Sequence, residues 1–261
     1  MKIGFIGCGN MATAIINGIL NNELVNSNDI IIYDKFQGAV DRLVDELNVI
    51  GCNSQEEVND NCDILFLAVK PNVIGDVVSQ IENNSPLVIS IAAGKTLEYL
   101  ESFSRVDLRL VRVMPNINAK VGEAISAYCY NENVLVSDIN KVELILSCFG
   151  KCLYIDESQF PIFGVLGGCA PAYAYMFIDS LAQAGVDNGM TKEEALKIAA
   201  QTVYGSAKMI LETDTQPWRL ADNVCSPGGT TIEGVISLQK DEFNKTIKRA
   251  VNKSFEKDKL L

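Results

Sequence analysis

The first twelve residues constrain this chain more than any other stretch. Residues 2–7 read KIGFIG, an apolar run of strand length, and they pass directly into Gly7-Cys8-Gly9-Asn10-Met11-Ala12 and an amphipathic, helix-like segment reaching about Leu20. A GxGxxA pattern set between a strand and a helix has a definite physical use. Its first glycine allows a tight turn, its second lets backbone approach a pyrophosphate, and its small third residue lets the helix lie close on the strand. Asp34 follows 25 residues after Gly9, at the end of a second strand-like run, IIIYD at 30–34. These features predict a dinucleotide-binding, doubly wound α/β fold.

The next hundred residues repeat the alternation. DILFLAV at 63–69, LVISIAA at 87–93 and LRLVRVMP at 108–115 are continuous apolar runs, and a helix-like stretch at about 38–47 precedes them. Runs apolar at every position, rather than at every second one, suit parallel strands covered on both faces. AISAYCYN at 124–131 and KCLYID at 151–156 flank a helical VSDINKVELILSCFG and can extend the sheet. Beyond about residue 157 the chain turns Ala-rich with no convincing strand. The expected organisation is a Rossmann-type, mostly parallel sheet over residues 1–156, followed by an all-helical C-terminal domain over 157–261. Thr191 and Glu194 have the spacing of a capping box and mark a helix start. Residues 213–231 read as a loop of turn formers, and FEKDKLL at 255–261 as a frayed end. Tyr173, Tyr175, Met176, Phe177 and Leu181 make a helix apolar on most faces. Such a helix is either an ordinary central helix or one that also packs on a second subunit.

Composition narrows the chemistry. There is no histidine, which removes Ser-His-Asp and Cys-His nucleophilic catalysis and the usual His-carboxylate base of alcohol dehydrogenation. Eight cysteines without a CxxC pair read as buried reduced thiols, and no metal site is expected. A formal net charge of −11 and a pI near 4.6 repel nucleic-acid backbones and anionic lipid surfaces alike. No apolar run approaches the roughly 18 residues of a membrane span, and the chain opens on a strand rather than a basic leader. A cytoplasmic protein acting on a small molecule, without nucleic-acid or membrane partners, is the expectation.

Three further strings can carry function. Asp34 stands where an acidic side chain bonds the ribose 2′-OH of NADH, while Lys35 next to it suits the 2′-phosphate of NADPH; the carboxylate tilts the reading slightly toward NADH. Ala68-Val69-Lys70-Pro71 and Ile91-Ala92-Ala93-Gly94 sit where two strands end, and small residues there leave room for a nicotinamide ribose. Ser226-Pro227-Gly228-Gly229-Thr230-Thr231 precedes a helix-like IEGVISLQ. It reads as an anion pocket with hydroxyl donors, or else as a plain cap with Ser226 capping and Pro227 in the first turn.

Taken together, GCGNMA, AVKP at 68–71, AAG at 92–94, MPN at 114–116, PAYAYMFIDSLAQAG at 171–185 and DNVCSPGGTTIEG at 222–234 resemble the pyrroline-5-carboxylate reductases from end to end. The resemblance implies NAD(P)H-dependent reduction of a cyclic imine to proline. It also implies a homodimer formed through the helical domain, often assembled further. It implies that Gly7, Cys8, Gly9, Asn10, Met11 and Ala12, Asp34 and Lys35, Ala68, Val69, Lys70 and Pro71, Ala92 and Ala93, and Asn223 lie at the cofactor. Ser226, Gly229, Thr230 and Thr231 then hold the substrate, with the Thr231 hydroxyl at the imine nitrogen. The chain departs from the family pattern at Ile117-Asn118 and at Cys169, each of which loses a hydroxyl, and at Asp34, where NADPH users tend to carry a small polar residue. Imine reduction needs no strong base, which agrees with the missing histidine. Two alternatives remain at this point. A β-hydroxyacid dehydrogenase-like reductase needs a catalytic lysine in the helical half, where Lys192, Lys197 and Lys208 all look solvated; the other alternative is a non-catalytic dinucleotide sensor.

Overall fold

The computed structural model describes residues 1–83 and 85–258 and divides into two compact units, one through Gly168 and one from Cys169 onward. Strands of the first unit are β1 (Ile3–Ile6), β2 (Ile30–Tyr33), β3 (Ile50–Gly51), β4 (Ile64–Leu67), β5 (Leu87–Ser90), β6 (Arg109–Met114), β7 (Ala124–Tyr130) and β8 (Gly150–Tyr154). Among the described residues they form one sheet in the order β3-β2-β1-β4-β5-β6-β7-β8. β1 lies between β2 and β4 with Ile3 opposite both Ile30 and Ile64. This is the doubly wound order, with its topological switch between β1 and β4. β7 runs antiparallel to β6 and carries β8 parallel to itself, so the last two strands reverse the sheet's direction.

Helices α1 (Asn10–Asn21), α2 (Gln37–Leu47), α3 (Gln55–Asp60), α4 (Ile74–Val78), α5 (Leu97–Phe103) and α6 (Val136–Ser147) cover the sheet. Alternation along each strand sorts the core into two layers. Ile3, Phe5, Ile30, Ile32, Ile64 and Phe66 face Ile15, Ile16 and Ile19 of α1 and Val142 and Ile145 of α6. Ile6, Ile31, Leu65, Leu67 and Val88 face Val58 of α3, Ile74 and Val78 of α4 and Leu100 of α5. Burying a strand residue on either face stabilises the fold, and this explains the uninterrupted apolar runs. Phe5 and Phe66 stack across β1 and β4 with ring centroids 4.8 Å apart. On the other face Gly4 leaves space for α3, since a Cβ there would lie 2.6 Å from Val58 Cγ1.

A short helix α7 (Phe160–Phe163) and a π-helical turn at Gly164–Cys169 lead into the second unit. That unit contains α8 (Ala170–Asp187), α9 (Lys192–Thr213), α10 (Pro217–Val224), α11 (Thr230–Lys240) and α12 (Phe243–Asp258), and no strand among the described residues. α8 and α9 approach closely over Ala182, Ala195 and Ala199. The capping box is present as expected: the Thr191 hydroxyl accepts from Glu194 N–H, and the Glu194 carboxylate accepts from Thr191 N–H.

Several expectations need correction. Residues 213–231 are not a loop throughout, because Pro217 starts α10; a proline in a first turn costs no hydrogen bond and so opens a helix as readily as it makes a turn. The short helices α3, α4 and α5 and the two-residue β3 carry too few residues for a readable period. Cys169 is exposed, so the thiols are not all buried, although the eight cysteines, all among the described residues, are free. The helical run Glu157–Asp187 is long and apolar enough, by length and composition, to cross a membrane. Small and weakly polar residues within that run hid it from a count of unbroken apolar positions. Met176 is 71 % exposed and Tyr175 58 %, so α8 is not an ordinary central helix of this chain. Of the FEKDKLL tail, residues through Asp258 continue α12 and the final three lie outside the described residues.

Candidate active site

The sheet unit gathers its candidate residues where β1, β4 and β5 end. Gly7 has φ +103°, and a Cβ on it would lie 2.6 Å from the carbonyl oxygen of Ala68, so the turn requires glycine twice over. Ala68 N–H donates to Ile6 O at 2.8 Å, which places the start of AVKP alongside the glycine turn. Gly9 is the N-cap of α1 without a side-chain capping bond, and no atom lies within 4 Å of where its Cβ would stand. Ala12, buried at the helix's first turn, lets α1 lie against the sheet. An open glycine at an uncapped helix N-terminus offers free amides and a positive dipole end to a phosphate, so these residues fit a dinucleotide. Asn10 is exposed and Met11 half-buried on the same turn.

Asp34 closes the turn from the β2 side. Its Oδ2 accepts from Cys8 N–H at 2.8 Å and its Oδ1 from Phe36 N–H at 2.9 Å. Lys35 is exposed. Burial pushes the Cys8 thiol up to about 12, helped by the Asp34 charge and opposed by Arg42, so Cys8 stays protonated and serves as packing. Val69 packs on the second core layer, Lys70 is exposed and Pro71 half-buried.

Ala92 and Ala93 line a pocket of about 200 Å³ together with Met11, Arg112, Met114 and Pro115. Arg112 escaped the sequence reading. Its side chain, 9 % exposed, donates to Glu157 Oε1 at 2.9 Å and lies over the Phe160 ring at 4.2 Å. The same Glu157 oxygen accepts from Leu97 N–H at 2.8 Å, tying the start of α5 to β6. The only signal was the second of two arginines, Arg109 and Arg112, inside the otherwise apolar LRLVRVM. Asn116 was quoted only within MPN, yet it is a buried brace: its Nδ2 donates to Gly167 O at 3.0 Å and its Oδ1 accepts from Ile125 N–H at 3.3 Å. Ile117, where a hydroxyl is lost, is 44 % exposed at the start of a 3-10 turn.

Asn223, Ser226, Gly229, Thr230 and Thr231 all belong to the helical unit. Asn223 is exposed in the last turn of α10, and Ser226, Thr230 and Thr231 are exposed around the start of α11. Gly228 has φ +70° and Gly229 N–H donates to Ser226 O at 3.0 Å, which makes a tight turn directly before the helix. The cap is Gly229, with no side-chain bond, so the plain-cap reading with Ser226 capping and Pro227 in the first turn does not hold. The amides opening α11 stay available, beside two threonine hydroxyls, to an anionic ligand group.

The lysines that a β-hydroxyacid dehydrogenase would need are surface groups. Lys197 pairs with Glu193 at 2.7 Å and Lys208 with Glu212 at 3.5 Å, both more than half exposed, and Lys192 is exposed as well. Such exposed pairs leave the amines in solvent rather than in a closed site.

Comparisons with known proteins identify the family. Residues 157–261 match the family model for pyrroline-5-carboxylate reductase dimerisation, and residues 2–94 match a model described as NADP oxidoreductase coenzyme F420-dependent. The chain is 42 % identical to the pyrroline-5-carboxylate reductase of Escherichia coli K12 over 100 % of its own length and 98 % of the relative's. It is 36 % identical to that of Arabidopsis thaliana, covering 96 % of this chain and 91 % of the plant protein. Among solved structures, the pyrroline-5-carboxylate reductase of Coxiella burnetii superposes with a TM-score of 0.92 at 31 % identity, over 99 % of this chain and 97 % of that one. The pyrroline carboxylate reductase of Plasmodium falciparum, solved with NADP bound, gives 0.87 at 35 % identity, over 100 % and 97 %.

Proposed function

The chain belongs to the pyrroline-5-carboxylate reductase family, and from that premise we propose how its own residues perform the family's NAD(P)H-dependent reduction of L-1-pyrroline-5-carboxylate to L-proline, the last step of proline biosynthesis. The open, uncapped turn at Gly9, pressed against Ala68 through Gly7, carries the reading. Gly7 through Ala12 hold the pyrophosphate on the α1 amides, Asp34 and Lys35 face the adenosine ribose, and Ala68 through Pro71 with Ala92 and Ala93 leave space for the nicotinamide end. When bound, the reduced nicotinamide supplies the hydride that the imine carbon accepts.

The substrate carboxylate sits on the α11 amides at Gly229 to Thr231, beside Ser226 and Thr230, where helix dipole and hydroxyl donors offset its charge. The Thr231 hydroxyl bonds the imine nitrogen and keeps the proton there as that nitrogen becomes an amine. No protein base has to remove a proton from oxygen, so a chain without histidine suffices. The exposed apolar face of α8 packs on a second copy, making a homodimer through the helical unit, with further assembly of dimers compatible with it. That partner, rather than lipid, covers the apolar run at 157–187, and the acidic net charge argues against nucleic acid. Eight free thiols suit the reducing cytoplasm.

Purified protein given pyrroline-5-carboxylate and NADH or NADPH is expected to consume the reduced nucleotide and release proline. Dinucleotide binding without turnover on the imine would overturn this reading in favour of the sensor.

A further inference from the structure

We propose that Asp34 makes this enzyme select NADH over NADPH, an inference that rests on reading the glycine turn as the dinucleotide site. Both Asp34 oxygens are fixed by backbone donors, Oδ2 by Cys8 N–H at 2.8 Å and Oδ1 by Phe36 N–H at 2.9 Å. A carboxylate held at two points across two segments cannot swing aside to admit a second anion. Each oxygen still has a lone pair, so the group can accept from a ribose hydroxyl without giving up either amide.

The nearby cations do not reverse this charge. Arg42 donates to Cys8 O at 3.2 Å and to Thr13 Oγ1 at 3.4 Å, and it pairs with Glu46 at 3.6 Å. Its guanidinium is thus engaged on the carbonyl side of the turn and partly neutralised. Lys35 is exposed on a long flexible stem, and its attraction for a phosphate is screened by water and salt. A 2′-phosphate carries between one and two negative charges at neutral pH, whereas a 2′-hydroxyl offers the carboxylate a donor. The fixed charge favours the hydroxyl.

Binding without substrate tests this on the intact, assembled protein. Isothermal titration with NADH and with NADPH, no imine present, is expected to give a dissociation constant about tenfold or more lower for NADH. Asp34→Asn keeps the side-chain volume and one acceptor oxygen, and is expected to narrow the ratio mainly by tightening NADPH; Asp34→Ser is expected to narrow it further. Both variants are checked for folding by thermal unfolding, so that a collapsed turn is not mistaken for altered selection. Equal or tighter binding of NADPH by the wild-type protein, or an unchanged ratio in a folded Asp34→Asn, overturns the proposal while leaving the dinucleotide site intact. Failure of both nucleotides to bind overturns the site itself and the proposal with it.

Discussion

At the scale of single residues, the proposed chemistry rests on a hydroxyl and a few amides. Thr231→Val removes the hydroxyl at constant shape, at an exposed position in the first turn of α11. It is expected to lower kcat by about tenfold to a hundredfold, in the range of a lost transition-state donor, with little change in thermal unfolding. Full turnover in that variant removes Thr231 from the mechanism. The buried thiols set a pH limit on the fold. Burial, aided by neighbouring carboxylates, holds Cys8, Cys62 and Cys129 at about 12 against an ordinary value of 9.0. Unfolding frees these thiols to ionise, so the folded state binds more protons above the ordinary value. Their contribution is complete below pH 9 and is lost as pH rises from there toward 12. The urea midpoint is therefore expected to fall between about pH 8 and pH 10, and to fall less when Cys62 is replaced by Ala and referenced to its own value at the lower pH. Much of the residue-level site was legible, because glycines that must turn and hydroxyls beside them leave a pattern in the sequence. Arg112 and Asn116 were not read as site-forming, because their work is a tertiary hydrogen bond to Glu157 or Gly167, far along the chain.

At the scale of elements, Glu157 joins three pieces that are distant in sequence. One of its oxygens takes both the Arg112 guanidinium of β6 and the Leu97 amide opening α5. Glu157→Ala leaves a cation that is 9 % exposed without its partner. The expected loss is about 2 kcal/mol, below that of a fully buried pair because Glu157 itself meets solvent, and is read as a lower urea midpoint at matched protein concentration. An unchanged midpoint would mean that water replaces the carboxylate at no cost. The long strands and α1, α2, α8 and α9 were legible because their apolar pattern runs over enough residues to reveal a period. α4 and α10 were missed for opposite reasons. α4, with five residues, is too short, and α10 opens on a proline that serves as a helix start rather than a turn. The reversal at β7 left no mark either, since a strand buried on both faces looks the same in either direction.

For the whole molecule, the second unit has a small interior and a large apolar exterior. Met176 is 71 % exposed and Leu211 84 %, on the two long helices α8 and α9. An exposed face of that kind needs covering, and the family model matched there is named for dimerisation. Met176→Glu is expected to shift the mass measured by light scattering toward the monomer, with loss of activity at low protein concentration. An unchanged mass would assign the contact to a different helix face. The sequence could announce an apolar helix but not its exposure, because exposure depends on what else one chain can place against it. Hydride delivery to the imine carbon of pyrroline-5-carboxylate is open to an isotope-transfer experiment. Proline made with NADH deuterated at nicotinamide C4, each face in turn, is analysed by mass spectrometry. Hydride delivery puts one deuterium on the δ carbon of proline, the former imine carbon, from one of the two labelled forms; unlabelled proline from both, or no proline at all, would contradict it.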